Sequence, residues 1–259
     1  MTRTKSWFAL RRASVEVSEE DGVRSLHLGG DAIQSSIRID RPDELALDYT
    51  RAMMAFLLFQ PSPRDVLMIG LGGGSMARYM HQRMPGTRTT VVEINAKVLA
   101  AARSLFHFPA DDARLRVKIA CGAEYLADQA ETADVLLVDG FDDGKQPAVL
   151  CTQAFYDASY AALRPGGVMA VNFMAEEKKL DAYMQRIEKS FDGHVACLTA
   201  ADRVNIIAFA FKRHPSQLAW AELKKRARQL QQDHDLPLEE FIAGLRKMNP
   251  HTQAALRLR

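Results

Sequence analysis

Cysteine is scarce in this 259-residue chain: Cys121, Cys151 and Cys197 are far apart and form no CxxC pair. That spacing excludes a disulfide framework and the usual zinc sites, so each is expected to be a free, largely buried thiol. His81, His107 and His194 are equally scattered, and no metal is expected. Long apolar runs are missing too. The longest, residues 52 to 59, is too short to cross a bilayer, and the first residues show no signal-peptide pattern. The expectation is a cytoplasmic protein without a membrane partner. There is no internal repeat, no low-complexity tract and no large net charge; the formal total is +2. What charge bias exists lies in residues 212 to 259, with ten Lys/Arg against five Asp/Glu. Without a binding motif this reads as a solvated helical face rather than a nucleic-acid site.

What is present is an ordinary globular composition, 47% apolar and 25% charged. Residues 13 to 40 alternate polar and apolar side chains, broken at Asp21-Gly22 and Gly29-Gly30-Asp31, which are hairpin signals. Such a platform is too thin to stand alone and must pack on something larger. From Pro42 to Phe59 the spacing of Leu45, Tyr49, Met53 and Phe56 predicts a helix. Met53, Met54, Met68 and Met76 read as core.

From Arg64 onward, strand-like runs (DVLMIG, TTVVE, LRVKIA, DVLLVD, GVMAVNF) alternate with helical segments. The strands are almost continuously apolar, as a parallel sheet covered on both faces requires. Two further runs, HVACLTA and VNIIAFAFK, are joined by only a few residues, so they pair antiparallel. The predicted fold is α/β: a Rossmann-like, doubly wound, mostly parallel seven-stranded sheet ending in an antiparallel hairpin. Three regions are expected: 1–45 as hairpins, 46–213 as the Rossmann-like catalytic domain, and 214–259 as a helical extension.

The first strand runs into Gly70-Leu71-Gly72-Gly73-Gly74-Ser75. Glycines there let the chain turn tightly against a ligand, and the following helix offers free N–H groups. Glu93, closing the second strand, can accept hydrogen bonds from ribose hydroxyls. Gly70, Gly72 and Gly74 form GxGxG, the S-adenosylmethionine pattern, whereas Ser75 breaks the GxGxxG of dinucleotide sites. Asp139 ends the fourth strand and Asp142 follows in a long connection, at the switch point where substrate meets cofactor. Either carboxylate can hold a cationic amine or take its proton. A turn cap and a plain solvent loop remain the alternative reading.

These residues together resemble the spermidine synthase (polyamine aminopropyltransferase) family over roughly residues 15 to 212. The likeness rests on the Gly-Gly-Asp-Ala-Ile-Gln segment ending at Gln34, Tyr49, the glycine loop, Glu93 and the pair Asp139/Asp142. Pro147, Phe155-Tyr156, Pro165-Gly166-Gly167 and Asn172 extend it. The resemblance implies aminopropyl transfer from decarboxylated S-adenosylmethionine to an amine, and homodimers or homotetramers built through the hairpins. It places Gly70, Gly72, Gly74, Glu93, Cys121, Gly122 and Asp139 at the cofactor, Gln34, Tyr49 and Asp142 at the acceptor, and Asp139 with Asp142 in catalysis.

Four positions depart from the pattern: Ser75 stands for an Asp after the glycines, Arg51 for a Glu, Ala55 for a His, and Cys121 for an Asp at the adenine. Losing an acid at Ser75 and gaining Arg51 would make the pocket less selective for cations. Methyl transfer from intact S-adenosylmethionine, or nucleoside binding without turnover, therefore stay open beside aminopropyl transfer.

Overall fold

The computed structural model describes residues 14–30, 33–141, 145–213, 215 and 217–258. Three strands, β1 (Val15–Glu20), β2 (Val23–Leu28) and β3 (Ile33–Arg38), form an antiparallel meander. Asp21 and Gly22 both take positive φ, as the tight link between β1 and β2 demands. Leu26 and Ile37 reach down to Phe106, and this small apolar cluster fixes the platform to the body.

Next comes α1 (Asp48–Met53), tightening into a 3-10 turn over Met54–Leu58. The predicted helix begins late because the Arg51 guanidinium takes the carbonyls of Leu45 and Ala46 and pairs with Asp48. A helix running back to Pro42 would need those carbonyls for itself. Residues 52 to 58 are fully buried, so the segment serves as a core element.

The main sheet contains β4 (Asp65–Ile69), β5 (Arg88–Glu93), β6 (Leu115–Ile119), β7 (Ala133–Val138), β8 (Leu163–Met174), β9 (Val195–Thr199) and β10 (Asn205–Phe211). Their order is β6-β5-β4-β7-β8-β10-β9, with β10 antiparallel to both neighbours. The remaining pairs are parallel. Connecting helices are α2 (Ser75–Arg83), α3 (Ala96–Leu105), α4 (Gly122–Ala127), α5 (Gln153–Ala162) and α6 (Leu180–Ser190). Alternate residues of the central strands feed one of two cores. Val66, Met68, Val135 and Leu137 join one, while Leu67, Ile69, Leu136 and Val138 join the other. The four methionines expected inside are all buried, as are Cys121 and Cys151, with Cys197 half-buried.

The last segment holds β11 (Gln217–Ala219), α7 (Trp220–His234), α8 (Leu238–Met248) and β12 (Ala255–Arg257), the two short strands pairing antiparallel. Trp220, Leu223, Phe241, Ile242 and Leu245 enter the first core, so the segment completes that core. Asn249 pairs with edge strand β9, accepting from Cys197 N at 2.6 Å and donating to its carbonyl at 2.7 Å. The edge is thereby covered. Part of the positive charge expected to be solvated is structural: Arg226 donates to the carbonyls of Leu58 and Phe59, and Arg246 lies over the Trp220 ring. No helix among the described residues is long and apolar enough to cross a membrane.

Gly74, left-handed at φ 77°, leaves no room for a Cβ because the Phe108 ring stands against it. Gly74→Ala is expected to lower stability by about 2–4 kcal/mol in urea melts, from strained φ plus overpacking. Nucleoside affinity of the folded fraction should be unchanged, since Gly74 does not line the cavity described below.

Candidate active site

Two adjoining cavities open at the carboxyl ends of the central strands, where the strand order reverses between β4 and β7. The first, about 810 Å³, is lined by Gly70 and Gly72 from the loop after β4, by Glu93 at the end of β5, and by Cys121, Gly122 and Asp139. Ile69, Val92, Ile94 and Leu150 supply apolar wall. A flat aromatic base with a polar sugar suits that division of surface. The second cavity, about 690 Å³, is lined by Tyr49, Asn172, Met174, Asp202, Val204 and Asn205, among others. Gln34 and Phe141 border both.

Glu93 carries out two tasks. Its Oε2 accepts the Leu71 N–H at 2.9 Å and its Oε1 accepts the Asn95 N–H at 2.8 Å, which locks the glycine loop onto the end of β5. Burial raises its pKa while backbone N–H groups of Asn95, Leu71 and Ile94 oppose the rise. Each oxygen retains a lone pair for a hydroxyl in the cavity. Gly70, at φ 93°, lies so close to Asp139 that a Cβ would overlap its carbonyl oxygen. Gly122 is pressed in the same way against Ile69.

Asp139 ends β7 and its carboxylate accepts from Asn172 Nδ2 at 3.0 Å. Burial pushes its pKa up to about 6, against the lowering effect of the Asn172 and Tyr49 hydrogen bonds. The Tyr49 hydroxyl, in turn, is held well above its ordinary pKa by burial and by the neighbouring Asp139 charge. Tyr49 also reaches the Gln34 carbonyl at 3.2 Å, joining α1 to β3 beside the cavities. Gln34, Gly70, Gly72, Glu93, Cys121, Gly122 and Asp139 thus line the first cavity, and Tyr49 with Gln34 lines the adjoining one. Gly74 stands outside both, packed on Phe108, and Asp142 lies outside the described residues.

Three departures from the family pattern prove to lie elsewhere. Ser75 opens α2 with its hydroxyl turned to Ser35 and Ser36 of β3. Arg51 folds back on its own loop, as above, beside a separate cleft with Asp43, Tyr79 and His234. Ala55 is fully buried in the core. Neither the Ser75 nor the Arg51 side chain lines either cavity, so Arg51 brings no positive charge to them, while the absence of an acid at position 75 stands as the sequence has it. Only Cys121 borders the first one. Sequence reasoning did not single out Gln146, whose Nε2 donates to the Asn172 carbonyl at 2.5 Å, nor Asn205, which donates to Asn172 Oδ1 at 2.9 Å. A buried Asn in a strand of otherwise apolar residues was the available signal for the latter. Among the described residues no group of His, Cys, Asp and Glu could hold a metal ion.

The sheet order and its reversed strand define the methyltransferase-type α/β fold. A human methyltransferase-like protein 13, solved with SAH, superposes with TM-score 0.66 at 28% identity, covering 74% of this chain and 94% of that one. A spermidine synthase solved with the transition-state analogue AdoDATO shares the fold, with TM-score 0.70 and 23% identity over 89% of this chain and 84% of its own. Residues 47–216 match the spermine/spermidine synthase domain, and the polyamine aminopropyltransferase of Chromobacterium violaceum is 39% identical over 93% of both chains. The chain belongs to the spermine/spermidine synthase family.

Because both Glu93 oxygens accept backbone N–H groups, the amide of Glu93→Gln must turn a donor toward a donor. Calorimetry with methylthioadenosine is expected to show affinity falling at least tenfold. Unchanged affinity would remove Glu93 from the nucleoside site.

Proposed function

We propose that this chain is an aminopropyltransferase, moving the aminopropyl group of decarboxylated S-adenosylmethionine to an amine acceptor. One observation carries the reading. Asp139 stands at the border of the cavity lined by the glycine loop and Glu93, bonded to Tyr49 and Asn172 of the adjoining one. The likeness to polyamine aminopropyltransferases over nearly the whole chain supports the same assignment.

In this reading Glu93 accepts from the ribose hydroxyls, and Gly70, Gly72 and Gly122 let the backbone lie close to the nucleoside. Cys121 sits beside the base. The amine enters the second cavity past Gln34 and Tyr49. Its nitrogen lone pair attacks the aminopropyl carbon bonded to sulfonium sulfur; the C–S bond breaks, its electrons stay on sulfur, and methylthioadenosine leaves. The proton released from nitrogen passes to Asp139, whose pKa near 6 suits a base working at neutral pH. Asp142, three residues further along the chain, is proposed on the family pattern to orient the acceptor. Arg51 is turned away from the cavities, which weakens the charge argument for intact S-adenosylmethionine; methyl transfer is the second reading, favoured by the absence of an acid at Ser75 and by the likeness to methyltransferase-like protein 13 and to eEF1A lysine and N-terminal methyltransferases. A cytoplasmic homodimer or homotetramer assembled through the hairpins accompanies the proposal.

Side-by-side titration with decarboxylated S-adenosylmethionine, S-adenosylmethionine and methylthioadenosine is expected to favour the decarboxylated form, with aminopropyl product formed from a diamine. Preference for the intact sulfonium together with methylated product would overturn the assignment.

Asp139 must be ionised to take a proton, and it is ionised above its pKa. Hence kcat/KM is expected to fall as pH drops through about 6, approaching tenfold per unit below it. Asp139→Asn should lose at least about 100-fold in kcat. A raised carboxyl pKa means that the ionised form destabilises the fold, so this variant should melt no lower than the parent at pH 8. A parallel loss of stability would mean that the carboxylate is structural.

A further inference from the structure

Asn172 of β8 and Asn205 of β10 are diagonal neighbours on paired strands, Asn205 standing opposite Met174 and Asn172 opposite Ile207; both are buried and both line the second cavity. An amide has one end that donates and one that accepts, so two linked amides ending on an anion can be oriented in only one way. Asp139 is such an anion. It requires the NH2 of Asn172, which donates at 3.0 Å. The Asn172 oxygen is then turned to Asn205, which must offer its own NH2, and does so at 2.9 Å. The same NH2 lies 3.6 Å from the Met174 sulfur, a weak second acceptor. Gln146 fixes the other side of the arrangement by donating to the Asn172 backbone carbonyl.

We infer that Asn205 is a positioning residue for the reaction: by holding Asn172 in one amide orientation, it keeps a hydrogen-bond donor on Asp139 and so maintains the carboxylate as the base. The titratable side chains bordering the two cavities, besides Asp139, are Tyr49, Glu93, Cys121 and Asp202. Tyr49 donates to Asp139 from α1, and Glu93 is held by the glycine loop. Asp202 accepts from Val204 N in the turn before β10. None of these can replace the role of Asn205, because none meets Asn172 among the bonds of the described residues. A second consequence concerns the acceptor. With its NH2 committed to Asn172, Asn205 presents its oxygen as the free end of the amide, an acceptor for a hydrogen of the incoming amine.

The role in catalysis rests on the aminopropyl-transfer reading, whereas the orienting of Asn172 does not, so two measurements separate them. The first is titration of the Asp139 carboxyl carbon by NMR in the ligand-free protein, with Asp139→Asn used to assign the signal. Asn205→Asp presents acceptors where a donor stood and adds a like charge, both of which raise the Asp139 pKa, by about one unit or more together, so the neutral Asn205→Leu isolates the amide orientation. Asn205→Leu, which merely frees Asn172 to turn, should raise it less. If the titration is unmoved in the folded Asn205→Leu protein, the inference is wrong; the aspartate variant serves the same purpose if the leucine variant does not fold. The second measurement is the acid limb of kcat/KM, expected to move upward with the NMR value. A uniform loss of rate with an unmoved limb would make Asn205 structural only. A moved NMR value in a protein that yields no aminopropyl product would leave the orienting role standing and overturn the proposed function instead.

Discussion

The site depends on how closely two strand ends approach. β4 and β7 lie side by side in the sheet, and where they end the chain turns outward on opposite sides, opening a crevice between the loops. Gly70 ends its strand at positive φ against the Asp139 carbonyl, a contact that no side chain could share. That one contact brings the loop of the first strand and the carboxylate of the fourth to the same wall. Glu93 then ties the loop to the end of β5 by one backbone hydrogen bond, from Leu71 N–H, while its other oxygen accepts the Asn95 N–H just beyond the strand. Position at the crevice is thus set by main-chain geometry, with side chains free to serve chemistry.

Burial of charge follows from the same geometry. A carboxylate taken from water is costly unless hydrogen bonds compensate. Glu93 receives main-chain donors and stays fixed; Asp139 receives a side-chain amide and a phenol. Side-chain donors can rearrange on binding or proton transfer more readily than main-chain ones. The two acids of the first cavity are therefore suited to different work, one to holding and one to accepting a proton.

The sheet was legible in the sequence because strands buried on both faces are continuous apolar runs, and because three residues cannot carry a crossover between HVACLTA and VNIIAFAFK. Glu93 and Asp139 were legible as residues at strand ends, where topology leaves little freedom of direction, and Gln34 and Tyr49 were legible through the family resemblance alone. Direction within a turn or helix was not legible. Gly74 in the left-handed region turns Ser75 toward β3 instead of the ligand. Arg51 lies one helical turn after Asp48, and that pairing, with two carbonyls in reach, draws it off the acceptor path. The strands β11 and β12 escaped notice because three-residue strands carry no periodic signal.

A pattern departure carries functional meaning only if its side chain reaches the ligand. Ser75, Arg51 and Ala55 looked, in one dimension, like a coordinated change of specificity. In three dimensions they contribute to a hairpin contact, a loop clasp and the core. Cys121 remains at the cavity wall, and replacing an acid by a thiol there exchanges a hydrogen-bond acceptor for an apolar neighbour. In the proposed reading, the departure that reaches the cavity concerns the nucleoside, while the Asp139 carboxylate is set by Tyr49, Asn172 and, through it, Asn205.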